Sequence, residues 1–341
     1  MYSDSDLDQA VTAGVLPPQL AADFRDYVAV LRATPAADEE HFRFLTGFND
    51  VFVTIAITLL LVAVAQLGGL VAPAAGAAAI AATAWVLALY FTARRRMALP
   101  SIVLLLTFVG GVAAAVVAIP EPHAVLINER SSAAAVSAAA GLAALGAWMH
   151  WRRFRVPITP AAGAAASVGL VISLIVAAVP TSRSLVSAML LTGGLAVFTV
   201  AMRWDMSDPR RETRRADVAF WLHLVAAPMI AHPVFQLLGV FEDRLALGTA
   251  VTVLLLYLMF ALVALAIDRR ALLVSSLVYV LYAMSALIRT TGAVELSAAL
   301  TALVIGAALL SLSAFWQVIR AHLVRRLGAL GRRLPPIGAV V

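Results

Sequence analysis

Long apolar runs, separated by short polar or basic stretches, fill most of the chain after residue 50. A transmembrane helix needs about 20 predominantly apolar residues. The pattern predicts ten spans, at residues 51–69, 71–92, 99–119, 133–151, 158–180, 184–203, 218–240, 245–267, 271–289 and 293–316. Between residues 51 and 92 no charge marks a turn, but Gly68, Gly69 and Pro73 predict a tight hairpin. We therefore expect an all-α membrane protein, a bundle of about ten transmembrane helices.

The distribution of arginine supports this number of spans. The sequence has no lysine, so all 25 of its Lys and Arg residues are arginine. With ten spans, 21 arginines fall on the side of the two termini, and four fall on the other side, namely Arg130, Arg183, Arg244 and Arg289. Loops on the cytoplasmic side carry the excess of basic residues in membrane proteins. We therefore expect both termini to be cytosolic and the protein to lie in a bacterial cytoplasmic (inner) membrane.

The first 50 residues differ from the rest because they are polar and carry nine acidic side chains against three arginines. They show no cleavable signal peptide. Gly14 to Pro18 predicts a break between two short helices, and Leu20, Phe24, Val28 and Leu31 recur at the spacing of one helical face. We expect an acidic cytosolic helical hairpin over residues 1–49. It either docks on the basic loops or binds a partner.

The domain boundaries follow from these patterns. The ten-span bundle occupies residues 50–316, and residues 317–341 form a basic tail. In the tail, Leu323, Leu327, Leu330 and Leu334 can share one face of a helix among arginines. A basic amphipathic helix of this kind lies against anionic lipid headgroups. We therefore expect the lipid bilayer and anionic lipids at the cytosolic face to be partners.

Composition removes several kinds of chemistry. The chain is 62% hydrophobic and 13% charged, with a mean hydropathy of +0.95. The absence of cysteine excludes disulfides, thiol catalysis and thiolate metal sites. The absence of lysine excludes a P-loop lysine and a Schiff base. The isoelectric point near 10.4 reflects membrane topology, and we expect no nucleic-acid partner. No residue pattern indicates a cofactor or a metal site.

The seventh span carries the most unusual polar residues of the predicted bundle. It contains His223, Pro228, His232, Pro233 and Gln236. Ionisable groups inside a membrane are costly and mark candidate functional sites. His223 and His232 are nine residues apart and fall on opposite helix faces, whereas His232 and Gln236 share one. These residues either line a path for protons or a small-molecule substrate, or the histidines bond to carbonyls that the prolines leave free.

Other charged residues lie at the predicted helix ends. Arg289 and Glu295 flank a short outer loop, as an interfacial ion pair or as part of a substrate site. Four acidic residues lie at cytosolic helix ends: Asp50, Asp205, Asp217 and Asp268. Because Asp217 and Asp268 precede predicted helices, where negative charge is favourable, we interpret them as caps.

Spans two to five are rich in small residues. Small residues at a helix interface let two backbones approach closely. We therefore expect close helix packing at the glycines of these spans, which are Gly76, Gly110, Gly111, Gly141, Gly146, Gly163 and Gly169.

Three stretches carry a resemblance to other proteins. They are Ala13–Ala21 (AGVLPPQLA), Phe44–Phe52 (FLTGFNDVF) and Asp268–Ser275 (DRRALLVS). With them, the chain resembles bacterial polytopic inner-membrane proteins of unknown function that carry an N-terminal cytosolic helical hairpin. The number of spans is also similar to that of drug/metabolite exporters. These resemblances imply a fold but no activity or site residue.

The sequence thus favours one function over two others. We expect transport or permeation of a small solute along a path lined by the seventh span. The alternative is a non-catalytic membrane scaffold that acts through its cytosolic hairpin. An enzyme is less favoured, because no nucleophile–base pair and no paired carboxylates occur at one depth.

Overall fold

The computed structural model describes residues 4–33, 48–119, 129–208, 211, 213–239, 247–277, 280–281, 303, 306–307, 310–328 and 334. Throughout this part, the regular structure is helical. The chain divides into two units, residues 1–42 with 337–341 and residues 43–336.

The first unit contains two helices, α1 (Asp4–Thr12) and α2 (Pro18–Ala33). They are joined by residues 13–17, where Gly14 takes a left-handed conformation with φ of 73° that glycine adopts without strain. The two helices contact each other, and Arg25 of α2 forms an ion pair of 2.6 Å with Asp8 of α1. The break between α1 and α2 therefore lies where Gly14 and the following prolines predict it.

The second unit is a helical bundle. Seven of its described helices are long and apolar enough to cross a membrane, and they correspond to the first seven predicted spans. They are α3 (Phe48–Gly69), α4 (Pro73–Phe91), α5 (Ala98–Val117), α6 (Glu129–Phe154), α7 (Thr159–Ala178), α8 (Arg183–Met206) and α9 (Arg214–Leu237).

Two more helices belong to this unit. Helix α10 (Leu247–Ile267) coincides with the eighth predicted span. Helix α11 (Trp316–Arg326) contacts α10 and buries one face, which includes Trp316 and Arg320. The ninth and tenth predicted spans, with Arg289 and Glu295, lie mostly outside the described residues. The number of ten spans therefore stays a prediction.

The hairpin predicted between residues 51 and 92 is confirmed. Helix α3 ends at Gly69 and α4 begins at Pro73. Glycines allow the two helices to touch here, since a Cβ added to Gly76 would lie 2.7 Å from the carbonyl oxygen of Ala65. Not every glycine has this role, because a Cβ on Gly110 would meet no atom within 4 Å. The expected close helix packing is thus found at Gly76 but not at Gly110.

Helix α9 is the most buried of the seven long helices. In the apolar 18-residue stretch of α9, 56% of the sequence is buried, whereas in the corresponding stretches of the other six helices the buried share is 11–33%. It packs extensively against α8 and also against α7. A Cβ on Gly194 of α8 would lie 2.9 Å from Met229 of α9, so the two backbones approach closely. The buried residues of α9, which include His223, are consequently held between other helices.

From α3 to α10, consecutive helices of the bundle run in opposite directions because their connections are short. The end that holds the connections α4–α5, α6–α7 and α8–α9 also holds the end of α10. We call it the arginine-rich end, because the described arginines there are Arg94, Arg95, Arg96, Arg152, Arg153, Arg155, Arg203, Arg211, Arg214, Arg215, Arg269 and Arg270.

Candidate functional site

Helix α9 carries the residues that the sequence singles out. It runs as one helix from Arg214 to Leu237, with Pro228 and Pro233 inside it. Thr213 is its N-cap, and the Thr213 hydroxyl accepts a hydrogen bond from the amide of Arg215 at 3.2 Å. The prolines therefore do not divide the helix; each removes one backbone hydrogen bond.

The structure does not bring the two histidines of α9 together. His223 is buried, whereas His232 is exposed. Gln236, one turn beyond His232, accepts a hydrogen bond from the Ser187 hydroxyl of α8 at 2.9 Å. Pro233 is buried and Pro228 is exposed. Of the five candidate residues on this helix, His223 alone belongs to the buried charged group that we describe next.

That group consists of Asp205, His223 and Arg269, which we call the charged cluster. The Oδ2 atom of Asp205 lies 3.0 Å from His223 Nε2. Arg269 donates to both carboxylate oxygens, from Nε to Oδ2 at 3.0 Å and from Nη2 to Oδ1 at 2.5 Å. The Asp205 side chain is 1% exposed and that of His223 is 2% exposed. The carboxylate therefore has both oxygens bonded and is shielded from solvent.

Three separate segments of the chain place these side chains. Asp205 lies in the last turn of α8, and His223 lies in the third turn of α9. Arg269 follows the end of α10, in a turn closed by a hydrogen bond of 2.9 Å from its amide to the Ala264 carbonyl. The preceding residue, Asp268, has φ of 58°. This left-handed conformation reverses the chain after α10 and is one that Asp tolerates better than most residues.

The ring of His223 keeps one nitrogen without a partner. A carboxylate only accepts hydrogen bonds, so Nε2 donates to Asp205. The other nitrogen, Nδ1, is buried and has no hydrogen-bond partner among the described residues. The ring packs against Phe198, with centroids 5.2 Å apart. His223 thus has a buried nitrogen that can accept a proton, on a ring whose other nitrogen bonds to a carboxylate.

A second acidic residue connects the charged cluster to neighbouring segments. Asp268 Oδ2 accepts from Arg211 Nη1 at 2.8 Å, and Oδ1 accepts from Trp316 Nε1 at 2.8 Å. Arg320 of α11, which is fully buried, has its Nε 3.6 Å from Oδ1. Asp268 therefore joins the α8–α9 connection, the end of α10 and α11 at the arginine-rich end.

These contacts correct the interpretation of two acidic residues. Asp268 is not a helix cap, because its carboxylate bonds to side chains of other segments. Asp217 lies in the first turn of α9, where its charge is favourable, but Thr213 is the N-cap. The predicted span 184–203 ended before Asp205, whereas α8 continues to Met206 and carries Asp205 into the buried interior.

Sequence reasoning found His223 but missed its two partners. One signal was present for Asp205, which lies 18 residues before His223 across a short connection between two packed spans. Arg269 lies in the stretch Asp268–Ser275 that carries the resemblance, but the resemblance implied no site residue, and Arg269 is one of many arginines at its end of the bundle. Only the tertiary structure selects it.

The charged cluster is unusual for the core of an apolar bundle. A buried ion pair is weak evidence for stability, because apolar residues of similar volume often serve as well. Ionisable groups in membrane helices face the bundle interior and mark functional sites. Among the residues that the structure describes, no three or more His, Asp or Glu side chains are grouped to hold a metal ion. The cluster is thus suited to proton transfer or to a conformational change.

Fold and site together define a multi-pass α-helical membrane protein with a buried charged cluster. Comparisons with known protein families, with curated proteins and with solved structures found no match to this chain.

Proposed function

We propose that the protein transports a small solute across a bacterial cytoplasmic membrane, and that the charged cluster closes the transport path at the arginine-rich end. The observation that carries this proposal is the buried carboxylate of Asp205, which bonds to both His223 and Arg269. The three groups belong to three segments, so a relative movement of any one changes the bonding of the others.

A gate must hold the closed state and yet open. Charge-assisted hydrogen bonds are strong and directional, but their net contribution in a protein interior is small because the charges lose their hydration. Such bonds therefore hold the gate closed when all of them are formed, and they are easily exchanged for contacts with water or a charged solute. Protonation of His223 at Nδ1 would add a positive charge to a ring bonded to the Asp205 carboxylate, so His223 would then compete with Arg269 for that carboxylate.

Helix α9 supports the proposal by its position and its backbone. It is the most buried long helix, as expected of a helix that lines a central path. Pro228 and Pro233 remove two of its backbone hydrogen bonds, which lowers the cost of bending there. His232 lies between the two prolines and Gln236 lies beyond both, and each is farther than His223 from the arginine-rich end. We assign them, with His223, to the path at different depths.

Orientation and lipid contacts follow from the arginine-rich end. The positive-inside rule places this end in the cytosol. Two of its arginines stack on tryptophans one helical turn away: Arg152 over Trp148 with 5.4 Å to the ring centroid, and Arg155 over Trp151 with 5.6 Å. Tryptophan and arginine together are typical of the headgroup region. We therefore propose anionic lipids as partners at this face.

One observation favours a second function, that of a membrane scaffold. In α2 the side chains of Leu20, Phe24 and Tyr27 are exposed, and they recur at intervals of four and three residues. This spacing places them on one face of the helix, as in helices that bind a partner protein. The scaffold proposal requires no path through the bundle.

A release assay tests the transport proposal. Vesicles that contain the purified protein are loaded with a mixture of small polar solutes, and mass spectrometry measures which solutes are lost. We expect faster loss of at least one solute than from protein-free vesicles. Asp205→Asn, which breaks the charged cluster, should change the rate of that loss several-fold. Arg203→Gln serves as the control, because Arg203 lies in the same last turn of α8 as Asp205 and is exposed.

The scaffold alternative gives a different result. Neither the natural protein nor the Asp205→Asn variant would then release any solute faster than empty vesicles. That result would contradict the transport proposal.

A further inference from the structure

A cavity opens at the arginine-rich end, away from the charged cluster. Its volume is about 570 Å³, within the roughly 300–1,000 Å³ of small-molecule sites. It lies where α3 begins, α4 ends and α5 begins. The lining residues are Asn49, Asp50, Val53, Tyr90, Phe91, Arg95 and Met97.

The lining contains one positive and one negative side chain. Asp50 lies in the first turn of α3 and is 3% exposed. Arg95 lies in the α4–α5 connection, where its Nε donates to the Tyr90 hydroxyl at 3.2 Å. The same guanidinium lies 5.6 Å from the centre of the Tyr90 ring. Tyr90 therefore holds Arg95 in place at the wall of the cavity.

These two charges suit a ligand that carries both signs. The hydrogen bond to Tyr90 uses Nε of Arg95 and does not involve the two terminal amino groups of the guanidinium. These two groups match the oxygens of a phosphate. A carboxylate such as Asp50 accepts hydrogen bonds from a primary ammonium group. Asn49 adds an amide that can bond to ester or phosphate oxygens.

The surroundings indicate that such a ligand is a lipid. The apolar side chains of Val53, Phe91 and Met97 complete the lining. Next to the cavity, α3 exposes large apolar side chains at Phe52 and Ile55, which suit contact with acyl chains. Arginine and tyrosine at the end of a membrane helix lie at the depth of the headgroups.

We propose that this cavity binds an aminophospholipid, a lipid whose headgroup joins a phosphate diester to a primary ammonium. Arg95 binds the phosphate, Asp50 binds the ammonium, and the acyl chains lie along the exposed face of α3. This site is independent of the proposed transport path, since it shares no residue with the charged cluster.

Native mass spectrometry of the full-length protein in detergent tests the site. The protein is titrated with phosphatidylethanolamine, phosphatidylcholine or phosphatidylglycerol, and bound lipid is counted. The phosphatidylcholine ammonium has no N–H group, and phosphatidylglycerol has no ammonium. Because a hydrogen bond to a charged group is lost in both cases, we expect about tenfold tighter binding of phosphatidylethanolamine.

Two variants separate the roles of the charges. Asp50→Asn should abolish the preference for phosphatidylethanolamine, so that this variant binds the three lipids about equally. Arg95→Gln should weaken binding of all three lipids about tenfold, since each carries the phosphate. Arg94→Gln is the matched control, because the neighbouring Arg94 does not line the cavity, and it should bind like the natural protein. The exposure of Arg95 makes its replacement compatible with folding.

Three results would overturn the proposal. The first is equal binding of the three lipids by the natural protein. The second is a preference for phosphatidylethanolamine that survives Asp50→Asn. The third is displacement of the lipid by an equal concentration of soluble glycerophosphoethanolamine, which would identify the ligand as a free headgroup instead of a lipid.

Discussion

Replacement of Asp205 by asparagine tests the energetics of the charged cluster. The substitution keeps the size of the side chain but removes its charge. Arg269 then stays in the same buried position with no carboxylate bonded to its fork. His223 loses the acceptor for its Nε2 hydrogen.

The magnitude follows from this loss of one partner. Breaking a buried ion pair from one side costs about 3–5 kcal/mol, because the remaining charge is left uncompensated. For a protein of this size, we expect the melting temperature to fall by about 4–7 °C. The double variant Asp205→Asn/Arg269→Gln removes both charges and should be more stable than Asp205→Asn alone.

Thermal unfolding of the purified protein in detergent measures these differences. Arg203→Gln is the control, because Arg203 is exposed and its replacement should change stability by no more than about 0.5 kcal/mol. A melting temperature of Asp205→Asn equal to that of its control would refute this explanation. Additive losses of stability from Asp205→Asn and Arg269→Gln in the double variant would refute it as well.

Two further predictions follow from the packing. Gly76→Ala should destabilise the α3–α4 hairpin by about 1–3 kcal/mol, because the new Cβ would lie 2.7 Å from a backbone atom. Gly110→Ala is the control in the same thermal assay and should be neutral, because the space around Gly110 is open. Equal effects of the two substitutions would contradict this explanation. Trp316→Phe removes the Nε1 bond to Asp268 and should cost about 1.5–3 kcal/mol, measured by thermal unfolding, whereas an unchanged melting temperature would show that this bond contributes nothing.

Much of the fold could be predicted from the sequence because one physical rule dominates it. Lipid requires long apolar helices, so the first seven predicted spans match the long helices of the structure. The hairpin at Gly69 and Pro73 was also predictable, since glycine and proline end helices by local geometry. The helix ends were less certain, as the extension of α8 from residue 203 to Met206 shows.

The candidate site was predictable only in part. His223 was conspicuous because histidine is rare in an apolar span. His232 was equally conspicuous, yet it is exposed and takes no part in the charged cluster. Arg269 lies 64 positions from Asp205, and no local pattern links it to Asp205 or His223. Contacts between distant segments depend on tertiary packing, which hydropathy and helical period do not encode.

The central claim is that a water-accessible path lies behind the charged cluster. The absence of cysteine from the sequence allows a direct measurement, the rate at which a membrane-impermeant thiol reagent labels Ala227→Cys. Ala227 lies one turn from His223 on the buried side of α9 and is 0% exposed. Ala84→Cys, equally buried in α4, is the control. We predict that Ala227→Cys is labelled slowly, and at least about tenfold faster when Asp205→Asn is added. Ala84→Cys should not be labelled with or without Asp205→Asn. If Ala227→Cys remains unlabelled both with and without Asp205→Asn, that result would contradict a water-accessible path behind the charged cluster.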